Sequence, residues 1–251
     1  MNPPPNVILV TGASKGIGAA TARLAAHAGD LVIVNYHSDD AAAADVVAEC
    51  DEQRGRAFAH RADVADEQAV AAMFDAAEQR FGPVDVLVNN AGILQQQMPM
   101  VDMTTDRWRE VFETNVIGAF VCAREAVRRM STRFGGSGGS IVNVSSAASY
   151  LGSPGEYVDY AASKAALDTM TIGLGKEVAT DGIRVNGVRP GIIHTGIHAS
   201  GGEPDRIDRV APSIPMKRGG EPDEVARTIL WLASDEASYI TATMVNVSGG
   251  R

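Results

Sequence analysis

A chain of 251 residues, 45% of them hydrophobic and 21% charged, holds ample apolar material for one large core. Its net charge of −9 weighs against nucleic acid and against an anionic membrane as partner, because both select for basic surfaces. No apolar run reaches membrane-spanning length. The opening residues 1–6, with Pro3, Pro4 and Pro5, lack the basic and apolar regions of a signal peptide. They read as a short extended tail and leave the cytoplasm as the expected location. Cys50 and Cys122 are far apart in sequence and read as core thiols in a reducing compartment.

In chain order, residues 7–11 form an apolar run that reads as a strand buried on both faces. A turn follows, Gly12-Ala13-Ser14-Lys15-Gly16-Ile17-Gly18. Its glycines permit positive φ and a close backbone approach, and the helix that opens there aims free N–H groups at whatever binds, which suits a pyrophosphate. A helix over 19–28 closes at Gly29, strand two spans 31–36, and an Ala-rich helix covers 39–54 before Gly55. Strand three covers 56–60 and leads to Asp63, a helix covers 67–81, and strand four covers 84–88. This alternation, with short connections, predicts a parallel doubly wound sheet with right-handed crossovers. A long helix capped by Thr104 is expected over 104–133, then a strand over 140–144, a helix over 158–178 and a strand over 183–188. Residues 195–218, rich in Gly, Pro, His and Asp, read as a mobile, site-covering loop with a short helical piece. A helix over 221–232 and a strand over 243–247 close the chain. No linker divides two complete cores, so one α/β domain of about seven strands, of Rossmann type, is expected over 1–251.

Ligands bind such sheets outside the carboxyl ends of the strands. Here those ends carry Thr11-Gly12, His37-Ser38, Asp63, Asn89-Asn90-Ala91-Gly92, Ser145-Ser146 and Arg189-Pro190-Gly191. Tyr160 and Lys164 lie one helical turn apart and share a face. A nearby ammonium favours the phenolate and lowers a tyrosine pKa that otherwise lies near 10. Either Ser145 or Ser146 could hydrogen-bond a carbonyl or alcohol oxygen. Tyr157 has Ala161 one turn on, so no lysine there can tune it. His194 and His198 have no clear third ligand, so no metal site is expected.

These motifs, in this order, resemble the short-chain dehydrogenase/reductase family over nearly the whole chain, with bacterial glucose-1-dehydrogenase-like and 3-oxoacyl-carrier-protein-reductase-like members the most similar. The resemblance implies that Tyr160 is the general acid/base, that Lys164 lowers its pKa and binds the nicotinamide ribose, that Ser146 holds the substrate oxygen and that Asn115 positions a water. It places Gly12, Ser14, Gly16, Ile17 and Gly18 around a pyrophosphate, with Asp63 and Val64 at the adenine. Asn90, Ala91 and Gly92 then steady the end of strand four, while Pro190, Gly191, Ile193 and Thr195 lie at the carboxamide. The family spaces serine and tyrosine 13 apart, whereas Ser146 precedes Tyr160 by 14, so an extra residue is expected in the 155–159 loop. A homotetramer is also implied.

The end of strand two speaks to the cofactor. An NAD-selective site places an acid there to bind the ribose hydroxyls. Here Asn35-Tyr36-His37-Ser38 precede Asp39 and Asp40. Asn35, His37 and Ser38 can donate to a phosphate, and Lys15 adds positive charge. NADP(H) is therefore favoured, with NAD(H) also usable. The expected activity is hydride transfer between nicotinamide and a small-molecule carbonyl or alcohol. The competing expectation is a non-catalytic dinucleotide-binding sensor or scaffold on the same fold.

Overall fold

A computed structural model describes residues 4–52 and 56–251. The start of the expected tail and the Arg54-Gly55 end of the second helix lie outside these residues. Strand β1 (Val7–Val10) is buried along its whole length and feeds the glycine turn into α1 (Gly16–Ala28). Gly29, at φ 101°, ends that helix by donating to Ala25 and Ala26 carbonyls, a left-handed cap that favours glycine. Strand β2 (Leu31–Tyr36) is followed by α2 (Asp40–Asp51), which Asp39 caps through the Ala42 N–H. Then come β3 (Arg56–Arg61) and α3 (Glu67–Phe81), the latter capped by Asp66, and β4 (Val86–Asn89).

The helix expected over 104–133 is interrupted. Thr104 caps α4 (Thr105–Phe112), but a π turn, Glu113–Ile117, separates it from α5 (Gly118–Met130). The added residue of a π turn rotates one side chain out of α register. Here the turn carries Asn115, which bonds both backbone groups of Ile93. Strand β5 (Gly139–Val144) leads to a short α6 (Ala148–Leu151), which periodicity does not reveal, and then to α7 (Val158–Glu177). After β6 (Ile183–Pro190), the expected loop over 195–218 holds two short helices, α8 (Ile197–Ser200) and α9 (Arg206–Val210). Helix α10 (Pro222–Ala233) and β7 (Met244–Val247) complete the fold.

The seven strands are parallel, in the order β3-β2-β1-β4-β5-β6-β7. Strand order reverses between β1 and β4, which opens a crevice at the carboxyl edge between them. Helices α1, α2 and α10 pack one face through Ala22, Val46 and Ile229, and α3, α5 and α7 pack the other through Phe74, Cys122 and Leu167. Both cysteines are buried in these layers, and burial raises their thiols to about 11 (Cys50) and about 12 (Cys122). They remain protonated core residues at neutral pH.

Candidate active site

The crevice at the switch point is a cavity of about 720 Å³. Its floor is the glycine turn, where Gly12 (φ 60°) and Gly16 (φ 56°) adopt left-handed backbone. A Cβ on Gly12 would lie 2.9 Å from Ala91 Cα, and one on Gly18 would lie 2.5 Å from Asn90 Nδ2. The turn thus packs directly on the end of β4. Asn90 Nδ2 donates to the Thr11 and Gly12 carbonyls, and Thr11 Oγ1 accepts from the N–H groups of Asn90 and Ala91. Helix α1 has no side-chain cap and no acid in its first turn, so its opening N–H groups face the cavity unopposed. Ser14 and Ile17 are half-buried in the same turn, and Thr195 lies against Gly16. This cradle, which side chains would fill, fits a dinucleotide pyrophosphate.

The rim at the end of β2 differs from expectation at Asn35. Its side chain is buried, with Oδ1 accepting from Gly12 N–H at 3.1 Å and Nδ2 donating to the His60 and Ala62 carbonyls. Asn35 braces the glycine turn against β3 and has no donor facing a phosphate. Lys15 is exposed and paired with Asp39 at 2.6 Å, so the acid that caps α2 also reaches the rim. His37 and Ser38 are exposed, and His37 Nδ1 lies 3.9 Å from Asp63. Asp63 is exposed beyond β3, whereas Val64 is buried against Gly118 and belongs largely to the core.

At the centre of the cavity, α7 brings Tyr160 and Lys164 to the ends of β4 and β5. Lys164 is buried; its Nζ donates to Val144 O at 2.9 Å and lies 5.7 Å from the Tyr160 ring centroid. A Cβ on Gly92 would lie 3.3 Å from that Nζ and 3.2 Å from Asn115 Oδ1, a tight fit beside the lysine. The two candidate serines turn different ways. Ser145 Oγ donates to Lys164 O, whereas Ser146 lines the cavity with Tyr160, its Oγ accepting from Ala148 N–H. The loop before α7 has positive φ at Gly152, Ser153 and Gly155. Burial raises Tyr160 to about 12 against the opposing bond from Ser146. Burial also lowers Lys164 to about 8, against the pull of Asp168. The expected lowering of Tyr160 by Lys164 is not found; burial sets the direction of the shift, and the phenol is protonated at neutral pH.

Asn115 is fully buried and donates to Ile93 O and Ser163 Oγ, fastening the segment after β4 to α7. Pro190, Gly191 and Ile193 line the wall beyond β6, with Gly191 packed on Ser248. The outer wall contains residues that spacing did not single out, notably Leu94, Glu156, Ile197 and Arg206. Arg206 is buried between Glu156 and Glu203, and Arg209 bonds the same two acids. Tyr157, untuned by any lysine, donates its hydroxyl to Gly201 O. His198 is buried with Nε2 on Ile193 O, and His194 is half-exposed near Glu221. Among the described residues, no cluster of three metal-ligating side chains occurs. No helix there is long and apolar enough to cross a membrane.

A family model described as "Enoyl-(Acyl carrier protein) reductase" matches residues 12–251. The chain is 56% identical to "Uncharacterized oxidoreductase YgfF" of Escherichia coli (strain K12), covering 98% of this chain and 99% of that one. It is 41% identical to "3beta-hydroxysteroid dehydrogenase 1" of Eggerthella lenta over 97% of this chain and 92% of that one. A solved short-chain type dehydrogenase/reductase from Mycobacterium marinum superposes with a TM-score of 0.88 at 34% identity, covering 98% and 94% of the two chains. The chain belongs to the short-chain dehydrogenase/reductase family and is an NAD(P)-dependent oxidoreductase acting on CH–OH and C=O groups.

Proposed function

We propose that the chain, acting as one domain, is an NADP(H)-dependent oxidoreductase that uses Tyr160 as general acid/base on a small carbonyl or secondary alcohol. One observation carries this reading: the Tyr160 phenol shares a cavity with Ser146 and stands beside a buried ammonium, Lys164, with an uncapped helix start in the same crevice. The bound dinucleotide would supply or accept the hydride. Ser146 holds the substrate oxygen, and Tyr160 gives that oxygen a proton in reduction or takes one in oxidation. Lys164 supports the negative charge left on Tyr160 and bonds the ribose, while Asn115 fixes the helix that carries both and lies at the position expected to hold a relay water. Gly12, Ser14 and Gly16 to Gly18 receive the pyrophosphate. Gly92, Pro190, Gly191, Ile193 and Thr195 bound the nicotinamide end.

NADP(H) is preferred because Lys15 and His37 put positive or donor groups at the ribose rim, although Asp39 competes for Lys15 and leaves NAD(H) usable. On the outer wall Arg206 is matched by Glu156 and Glu203, and this pairing supports an uncharged substrate on that side. A homotetramer in the cytoplasm completes the reading. The test is NADPH oxidation against a panel of neutral cyclic ketones, aldoses and 3-oxoacyl thioesters. Turnover of at least one class supports an enzyme, and tight NADPH binding with no turnover of any would favour a sensor or scaffold.

A further inference from the structure

Helix α7 starts without a capping side chain, since Tyr157 at its N-cap makes no such bond. Its first turn is closed from inside by Asp159, whose Oδ1 accepts from the Tyr160 N–H at 2.9 Å. Asp159 is itself gripped by Arg107 of α4. Nε donates to Oδ2 at 2.6 Å and Nη2 to Oδ1 at 3.2 Å, with both side chains buried. Arg107 is anchored in turn, because Nη1 donates to Gln96 O and its own N–H donates to Thr104 Oγ1. The other side of Tyr160 is fastened from the same helical run. Ser163 Oγ donates to Tyr160 O at 2.7 Å and accepts from Asn115 Nδ2 at 3.1 Å. The backbone N–H and C=O of Tyr160 are therefore both fixed, one through Arg107 and the other through Asn115.

A buried ion pair is a weak source of stability, because desolvation offsets the attraction, and well-packed apolar replacements are often as stable. What a two-point guanidinium grip adds is direction: the planar fork fixes the plane and position of the carboxylate it holds. We propose that Arg107 is a positioning residue for proton transfer, holding Asp159 and through it the Tyr160 backbone, so that the phenol stays within reach of Ser146. The proposal rests on reading Tyr160 as the acid/base. Lys164 is anchored separately to Val144, and the hydrogen bonds of Arg107 run to Gln96, Thr104 and Asp159 and not to the glycine turn. Loss of Arg107 therefore slows turnover and spares cofactor binding.

The test compares Arg107→Gln, Arg107→Lys, Asp159→Asn and the double variant Arg107→Met/Asp159→Leu by kcat, KM, NADPH dissociation constant and thermal midpoint. Arg107→Gln should lose about 10- to 100-fold in kcat with KM and NADPH affinity within about 2-fold, as expected for a misplaced catalytic group. Arg107→Lys should recover part of the loss. Asp159→Asn, which keeps the acceptor for Tyr160 N–H, should fall between wild type and Arg107→Gln. The double variant leaves no unpaired buried charge, so it should fold even where a single variant does not, and it should stay slow. A wild-type kcat in the double variant overturns the proposal, as does an equal loss in kcat and NADPH affinity. Tyr160→Phe separates the two claims. A fast Tyr160→Phe removes the acid/base reading itself, whereas a dead Tyr160→Phe beside fast Arg107 variants removes only the role of Arg107.

Discussion

Burial acts in opposite directions on the two central side chains, raising Tyr160 to about 12 and lowering Lys164 to about 8. At pH 7 both are protonated, which suits Tyr160 to donate. As pH rises through about 8, Lys164 loses the charge that supports the phenolate formed on donation. Carbonyl reduction under saturating substrates should therefore be level between pH 6 and 7 and decline above about pH 8, while alcohol oxidation rises with pH. A reduction rate that climbs steadily from pH 6 to 9 would contradict this. The rim supports a second prediction. Lys15 is held by Asp39, so a 2′-phosphate has to draw the lysine away from a carboxylate. Lys15→Ala should lower the ratio of kcat/KM for NADPH over NADH, and Asp39→Asn should raise it. A wild-type ratio below one, or a ratio indifferent to Lys15, would count against NADP(H) preference. Tyr160 and Lys164 were legible because their spacing on a helix fixes a shared face. Between Ser145 and Ser146 the residue types alone left both open and only the resemblance chose Ser146, since spacing does not show which way two adjacent side chains turn at a strand end. Asn35 was misread for a related reason: sequence shows an amide at the rim, but only the fold shows that β3 and the glycine turn already use it.

Two elements frame the substrate side of the cavity, the loop before α7 and the pair α8–α9. Glu156 of the first is bonded to Arg206 and Arg209 of the second, and Met98 N–H donates to Glu156 O. Bonds from Arg209 hold the Glu203 carboxyl at about 2, with burial opposing and Arg206 adding to the effect. The network is thus intact above the ordinary glutamate range and weakens as pH falls from about 4.5 towards 2. Glu156→Gln should loosen the α8–α9 cover, speeding tryptic cleavage after Arg206 and Arg209 and raising substrate KM while NADPH affinity holds. Unchanged cleavage would show that other contacts hold the cover. The sequence marked residues 195–218 as a covering segment from composition alone, but its two helices are too short to leave a periodic signal. The π turn at Asn115 was likewise invisible, because a single added residue hardly alters the apolar pattern on either side of it.

The sheet order and the two-layer packing of the whole molecule follow from patterns the sequence carries openly: short apolar runs, alternating helices and glycines at the turns. Assembly is less legible, because a face left uncovered in one chain is written in the same apolar alphabet as the core. Phe112, Ile117 and Phe120 on the α4–α5 run and Ile172 on α7 remain substantially exposed. These are the helices expected to join subunits, and they also carry Arg107, Asn115, Tyr160 and Lys164. Light scattering at micromolar concentration should give the mass of four chains, and Phe120→Glu should lower it. A wild-type monomer would contradict the assembly. The account as a whole turns on one proton. Tyr160→Phe removes the hydroxyl and little volume, so the decisive measurement is its kcat with saturating NADPH and a ketone that wild type reduces. A loss of about 10²- to 10⁴-fold with NADPH affinity within a few-fold is predicted; a kcat close to wild type would contradict the assignment of Tyr160 as the proton donor.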